Sequence, residues 1–162
     1  MLLPELSNWL SHTHASEVVS TVTWIIPTTQ IIHIVCVTIV LVPMLMLDLR
    51  MMGVLGTRQS ISAVADRFIP PVWIALVILF LTGVVLTIGE PGRELLSNAF
   101  RLKMILVAIV AVITFFVQRR IKGDATFWES RPGLAKLVAL VSMMLWLAIL
   151  TAGRMIAYLE HG

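Results

Sequence analysis

The sequence predicts an all-α integral membrane protein, an antiparallel four-helix bundle with a short N-terminal interfacial helix. Of its 162 residues, 59% are hydrophobic and only 13% are charged, and the mean hydropathy is +0.97. Soluble domains are typically about 45–50% apolar and about 25% charged. A water-soluble fold of this length could not bury so much apolar side chain, so the composition indicates a chain surrounded by lipid.

Four apolar segments are the second observation behind this fold class. They lie at about 23–47, 68–88, 98–118 and 137–158 and are expected to form one domain over residues 1–162. A membrane-spanning helix needs about 20 predominantly apolar residues. The third apolar run is short, so its helix is predicted to begin near Asn98, with Arg101 and Lys103 snorkelling to the interface.

The ends of these segments add detail. At the N-terminus, leucines recur at helical spacing around Trp9, which favours a short helix lying at the membrane interface. Pro70 and Pro71 are placed in the first turn of the second span, where proline is tolerated. The N-terminal stretch has no basic n-region and carries Glu5, so a cleavable signal peptide is not expected.

The distribution of Lys and Arg is the third observation, and it predicts the orientation. The loops after the first and third spans carry eight of the twelve basic residues, and the opposite side carries four. The positive-inside rule then places these two loops in the cytoplasm and both termini outside. The expected location is a bacterial inner membrane, with several passes and periplasmic termini.

Charge and motifs exclude several classes of function. The net charge is +3, but the basic residues lie beside apolar runs, so anionic lipid is the expected partner and nucleic acid is not. Cys36 is the only cysteine, which leaves no intrachain disulfide. The sequence contains no Walker motif, GxGxxG or CxxC pattern, and the predicted spans contain no acidic residue. No self-contained catalytic site is predicted.

His33 is the first candidate site residue because it lies inside the first span. An ionisable side chain at such a depth is costly without a partner and is therefore a functional hypothesis. Gln30 and Cys36, three residues to either side, share its helical face and predict a polar seam toward the bundle interior. Arg154, near the end of the last span, is expected in the same leaflet.

Two cofactors fit these residues. In the first interpretation, His33 is an axial ligand of haem b and Arg154 pairs with a propionate. The remaining histidines lie outside the spans, so Met104 or another chain would supply the second ligand to the haem iron. In the second interpretation, Gln30, His33 and Arg154 surround a quinone head group. The structural alternative is that His33 hydrogen-bonds a neighbouring helix and Arg154 snorkels to the headgroups.

Short motifs in three helices carry a resemblance to a known family. They are Asp48-Leu49-Arg50 followed by Gly53, Phe100 followed by Lys103, and Gly153-Arg154 after Trp146. From about Pro27 to Tyr158, the chain resembles a bacterial family of small four-helix inner-membrane proteins with no assigned function. That family is similar in general plan to the membrane domains of CopD-type copper-resistance proteins and to small b-type cytochromes.

The resulting functional hypothesis is a small membrane subunit of a bacterial redox complex. It would supply a membrane anchor or an electron-transfer component, with haem b or quinone near His33, and at most form part of an oxidoreductase. The alternative is a purely structural accessory subunit of a larger membrane complex. A small-solute or metal permease is disfavoured because the predicted spans lack rings of charge.

Overall fold

The computed structural model describes residues 2–158, and within this range it contains seven α-helices and no strand. In chain order they are α1 (Leu2–Ser11), α2 (His14–Thr21), α3 (Ile25–Met52), α4 (Ile61–Gly89), α5 (Pro91–Leu96), α6 (Asn98–Gly123) and α7 (Pro132–Tyr158).

Four of these helices, α3, α4, α6 and α7, are long and apolar enough to cross a membrane. This confirms the predicted all-α membrane bundle, and α6 begins at the expected Asn98, where the Ser97 side chain accepts a hydrogen bond from the Phe100 N–H. The helices extend beyond the predicted apolar segments. As a result, Pro70 and Pro71 lie inside α4 rather than in its first turn.

Helix α3 is central to the packing, since it lies against both α4 and α7, while α6 packs mainly against α7. Short connections join α3 to α4 and α6 to α7, so each of these pairs is antiparallel. Both connections lie at one end of the bundle, which we call the basic end because the predicted cytoplasmic Lys and Arg residues flank them. The opposite end is the capped end.

Three short helices cover the capped end. The sequence predicted one interfacial helix there, and the structure has α1, α2 and α5, with α1 packed on α5 and α2 packed on α4. Gly89, at the end of α4, permits this arrangement. A Cβ atom at Gly89 would lie 2.8 Å from Val19 Cγ1 and 3.2 Å from Ile26 Cδ1, so α2 and α3 approach where a side chain would stand.

The tightly packed core occupies the half of the bundle nearer the basic end. Val40 and Ile69 are among its fully buried members, and Trp128, from the connection between α6 and α7, is buried there too. Small side chains on α7 allow close packing: Ala135 and Ala139 have no exposed surface. The half nearer the capped end is less densely filled, and this is where His33 lies.

The two basic-end connections are tied together through one carboxylate. Glu129 Oε1 accepts a hydrogen bond from the Ile61 N–H at 3.0 Å and lies 3.6 Å from Arg50 Nη2. Arg50 also donates from Nε to the Gln59 carbonyl oxygen at 2.6 Å. Arg50 therefore holds the loop at the end of α3 in place.

Candidate functional site

His33 on α3 forms a polar contact with a second spanning helix, α4. Its Nδ1 lies 2.8 Å from the Thr82 hydroxyl oxygen on α4. Thr82 is buried, with 8% of its surface exposed, whereas His33 is half-buried. The hydrogen bond therefore fixes the orientation of an imidazole ring that still has an accessible side.

The surroundings of Thr82 indicate which nitrogen of His33 carries the proton. The Thr82 hydroxyl donates to the Ile78 carbonyl oxygen of its own helix at 2.8 Å. With its hydrogen so used, the hydroxyl oxygen accepts from an Nδ1–H of His33. In a neutral ring this leaves Nε2 with an open lone pair, able to accept a hydrogen bond or to ligate a metal.

A cavity of about 190 Å³ lies beside His33, between α3, α4, α6 and α7. Gly83, the next residue after Thr82, forms part of its wall, and a Cβ placed there would lie 3.9 Å from His33 Cε1. The rest of the wall is almost entirely apolar and includes three aromatic side chains, from Phe80, Phe100 and Trp146. Such a wall suits a ring-shaped apolar ligand with few polar atoms.

Lys103 on α6 is the second ionisable residue of this wall. It was not among the site residues predicted from the sequence. It was expected to snorkel, but its side chain lies half-buried against α7. A Cβ placed at Gly153 would be 3.9 Å from Lys103 Cε and 4.0 Å from Nζ. The signal was present in the spacing, because Phe100, Lys103, Met104 and Val107 occupy one helical face and all line the cavity.

The four residues assigned to the site from sequence are not all brought together. His33 and Met104 line the same cavity, although Met104 is 45% exposed. Gln30 and Arg154 have exposed side chains and are not part of that wall. Of the predicted polar seam, Cys36 is buried and Gln30 is not, so α3 presents His33 to the cavity without the amide.

Asp48 overturns the expectation that the spans hold no acidic residue. Helix α3 continues to Met52, and the Asp48 side chain is buried, with only 5% of the residue exposed. It lies close to Ser142 on α7, while its Oδ2 has no hydrogen-bond partner among residues 2–158. The sequence could not separate a helix end from an interfacial loop at this position.

The described residues contain no cluster of three or more His, Cys, Asp or Glu side chains suited to a metal ion. His12 and His14 are exposed near the capped end, and His161 lies outside the described residues. The site around His33 thus offers one acceptor nitrogen, one ammonium group and an apolar wall. It can hold and orient an apolar ring compound that carries a few polar atoms.

A family model described as a family of unknown function, DUF6644, matches residues 8–159 of the chain. No curated protein and no solved structure matches the sequence.

Proposed function

The chain belongs to this family of unknown function, and we propose that it is a small membrane subunit that binds the head group of a quinone or quinol beside His33. Its four apolar helices make the chain a multi-pass membrane protein in contact with lipid. The proposed redox role adds a partner that exchanges electrons with the bound head group.

One observation supports the proposal above the others. His33 and Lys103 come from different helices, yet both line one apolar cavity within the spanning region. Ionisable side chains in such a position are expensive and characteristically mark ligand or proton pathways. A purely structural helix contact would be served by the His33–Thr82 hydrogen bond alone, and it gives no reason for Lys103 to share the cavity.

The two groups complement the polar atoms of a quinone and its reduced form. The Lys103 ammonium group is a donor and can bind a carbonyl or hydroxyl oxygen of the head group. The Nε2 atom of His33 is an acceptor and suits the hydroxyl hydrogen of a quinol. Oxidation of a bound quinol to the quinone releases two protons and two electrons. Nε2 of His33 would accept the first proton, the second would pass to water at the capped end, and an electron-accepting redox partner would take both electrons.

Haem b is the second candidate, and the tautomer of His33 favours it. A ligating histidine usually donates its other ring N–H to a fixed acceptor, as His33 does to Thr82. Met104 lines the same cavity and is the candidate second ligand. The volume opposes this assignment, since about 190 Å³ is below the roughly 300–1,000 Å³ of pockets for drug-sized ligands, and a porphyrin is larger than most of these.

Direct binding to the purified protein tests the proposal. A short-chain quinone and, separately, its quinol under argon are titrated into the protein in detergent, and binding is followed by isothermal calorimetry. We expect saturable binding of one molecule of either per chain. Lys103→Met should weaken the binding of both by at least about tenfold, because a hydrogen bond involving a charged group contributes about 1.5–3 kcal/mol. His33→Leu should weaken quinol binding by about tenfold and change quinone binding little, because only the quinol offers a hydrogen to Nε2.

His14→Leu is the matched control, because it removes an exposed imidazole outside the spanning helices and should leave quinone affinity unchanged. An absorption spectrum of oxidised and dithionite-reduced protein distinguishes the haem alternative. A Soret band that disappears in His33→Leu would replace quinone by haem. A colourless protein that binds no quinone would leave the structural accessory role.

We further propose that the protein lies in a bacterial inner membrane with the basic end in the cytoplasm, as the positive-inside rule favours. The cavity at His33 is then in the periplasmic half of the bilayer. Reporter fusions test this orientation: a fusion at residue 56 should be active for a cytoplasmic reporter and inactive for a periplasmic one.

A further inference from the structure

A second polar pair, Asp48 and Trp146, lies in a groove between α3 and α7. Asp48 and Trp146 both line this groove, which has a volume of about 220 Å³ and otherwise apolar walls. Asp48 is fifteen positions beyond His33 on α3, so about 22 Å separates the two along the helix axis. Trp146, Leu41 and Leu150 also line the cavity at His33, so the groove adjoins that cavity and extends from it toward the basic end.

Both polar groups of the groove lack a partner in residues 2–158. Asp48 Oδ2 and Trp146 Nε1 are each buried and make no hydrogen bond there. Buried polar atoms without a partner are rare in folded proteins, because each costs about 1–3 kcal/mol in lost solvation. In the apolar part of a membrane no bulk water reduces this cost.

The positions of Asp48 and Trp146 define which ligand atom can hydrogen-bond to both side chains. Ser142 lies near Asp48, and Trp146 is one helical turn further along α7 on the same face. Four residues rise about 6 Å along the helix axis, and a helical side chain leans toward the preceding turn, so the Trp146 indole leans toward the level of Ser142 and Asp48, where one oxygen atom can hydrogen-bond to both groups. That oxygen must accept from the indole N–H and interact with the carboxyl group. A hydroxyl does both, whether Asp48 is ionised or protonated.

The walls indicate what carries the hydroxyl. Val42, Leu45 and Leu147 are each between 42% and 56% exposed and form the outer rim of the groove, toward the surrounding lipid. The unpartnered polar atoms lie beneath that rim. A partner helix is about 10 Å across, and its backbone would stop at the rim, whereas a lipid chain can lie along it.

We propose that Asp48 and Trp146 form a binding site for the free hydroxyl group of a neutral lipid, of which a diacylglycerol is the type. The hydroxyl donates to Asp48 Oδ2 and accepts from Trp146 Nε1, and the acyl chains lie against the apolar rim. A rotation of the Trp146 side chain opens the way in, as side-chain changes commonly do on binding. This site goes beyond the proposed quinone function and does not depend on it.

The test uses the purified protein with dioctanoylglycerol and, as the matched ligand, its methyl ether, which lacks the hydroxyl hydrogen. Binding is followed by tryptophan fluorescence, with Trp146→Phe identifying the responding indole. We expect saturable binding of the alcohol and about tenfold weaker binding of the ether. Asp48→Leu should weaken alcohol binding to the level of the ether, and Asp48→Asn should weaken it less.

His33→Leu is the control that separates the two sites, because it should weaken quinol binding by about tenfold and leave alcohol binding unchanged. Equal affinity for alcohol and ether, or an unchanged affinity in both Asp48 variants, would overturn the proposal. Failure of the wild-type protein to bind the alcohol would also overturn it and leave a polar side chain of a partner helix as the remaining occupant. None of these results depends on whether quinone binds.

Discussion

Replacing Thr82 by Val removes the hydroxyl that holds His33 and keeps nearly the same shape. The hydroxyl oxygen lies 2.8 Å from His33 Nδ1 and is buried, so no solvent replaces it. Interhelical hydrogen bonds in membrane proteins contribute about 0.6 kcal/mol on average and up to about 1.7 kcal/mol. Because the variant also leaves a donor of His33 unpaired, we expect a loss of about 1–3 kcal/mol in the free energy of unfolding.

Thr87→Val provides the matched control on the same helix. The Thr87 hydroxyl donates only to the Gly83 carbonyl oxygen within α4, at 2.8 Å, so its removal should change stability by no more than about 0.5 kcal/mol. Stability is measured by SDS titration of the folded protein in mixed micelles. A double-mutant cycle with His33→Leu should give a coupling of about 0.6–1.7 kcal/mol. A coupling of zero would refute the interhelical hydrogen bond and the ring orientation deduced from it.

Three further predictions concern the fold. Gly89→Ala should destabilise the protein by about 1–3 kcal/mol because the new Cβ overlaps α2, whereas Gly83→Ala meets only ordinary contacts; equal SDS-unfolding midpoints would contradict this. Ile69→Ala, at a core position 1% exposed, should cost about 2–5 kcal/mol in the same assay, and a smaller loss would mean that the core repacks. Hydrogen bonds from the Thr126 side chain and backbone lower the pKa of the exposed Asp124 carboxyl. This turn should therefore be fully ordered at any pH above the usual pKa of an aspartate, and it should loosen as the pH falls through the lowered pKa of Asp124. The Thr126 amide signal in NMR should follow that titration and lose it in Asp124→Asn; a titration at or above the usual range would contradict the assignment.

Much of the fold could be predicted from the sequence because the apolar segments are long and few. Each segment forms a helix whose backbone hydrogen bonds are all made within the segment, so its length and hydropathy suffice to locate it. The ends of the helices were harder to predict. Asp48 was placed outside the first span because charge marked its apparent boundary, yet α3 continues to Met52 and carries the carboxyl group into contact with α7.

The candidate site was only partly predictable, for a related reason. His33 stands out within an uncharged segment, but its partners depend on how helices rotate against one another. Thr82 is one of several hydroxyl residues, and nothing in the sequence shows that it faces α3. Lys103 was taken for a snorkelling residue near a helix end, and only the tertiary structure places it in the wall of the cavity at His33.

The similarity in plan to CopD-type domains and small b-type cytochromes stays a prediction, as do the roles assigned to Gln30, Met104 and Arg154. The family of unknown function that the sequence suggested is confirmed by the match over residues 8–159. Membership of this family brings no activity with it. The proposed function therefore depends on the chemistry of the cavity itself.

Photolabelling tests that chemistry most directly. An azido-quinone is illuminated with the purified protein, and the labelled peptides are identified by mass spectrometry. The proposal predicts labelling on α3 near His33 and on α6 near Lys103, suppressed by excess unlabelled quinone and reduced in Lys103→Met. Labelling spread over the lipid-facing surfaces and unaffected by competitor would contradict a quinone site at His33.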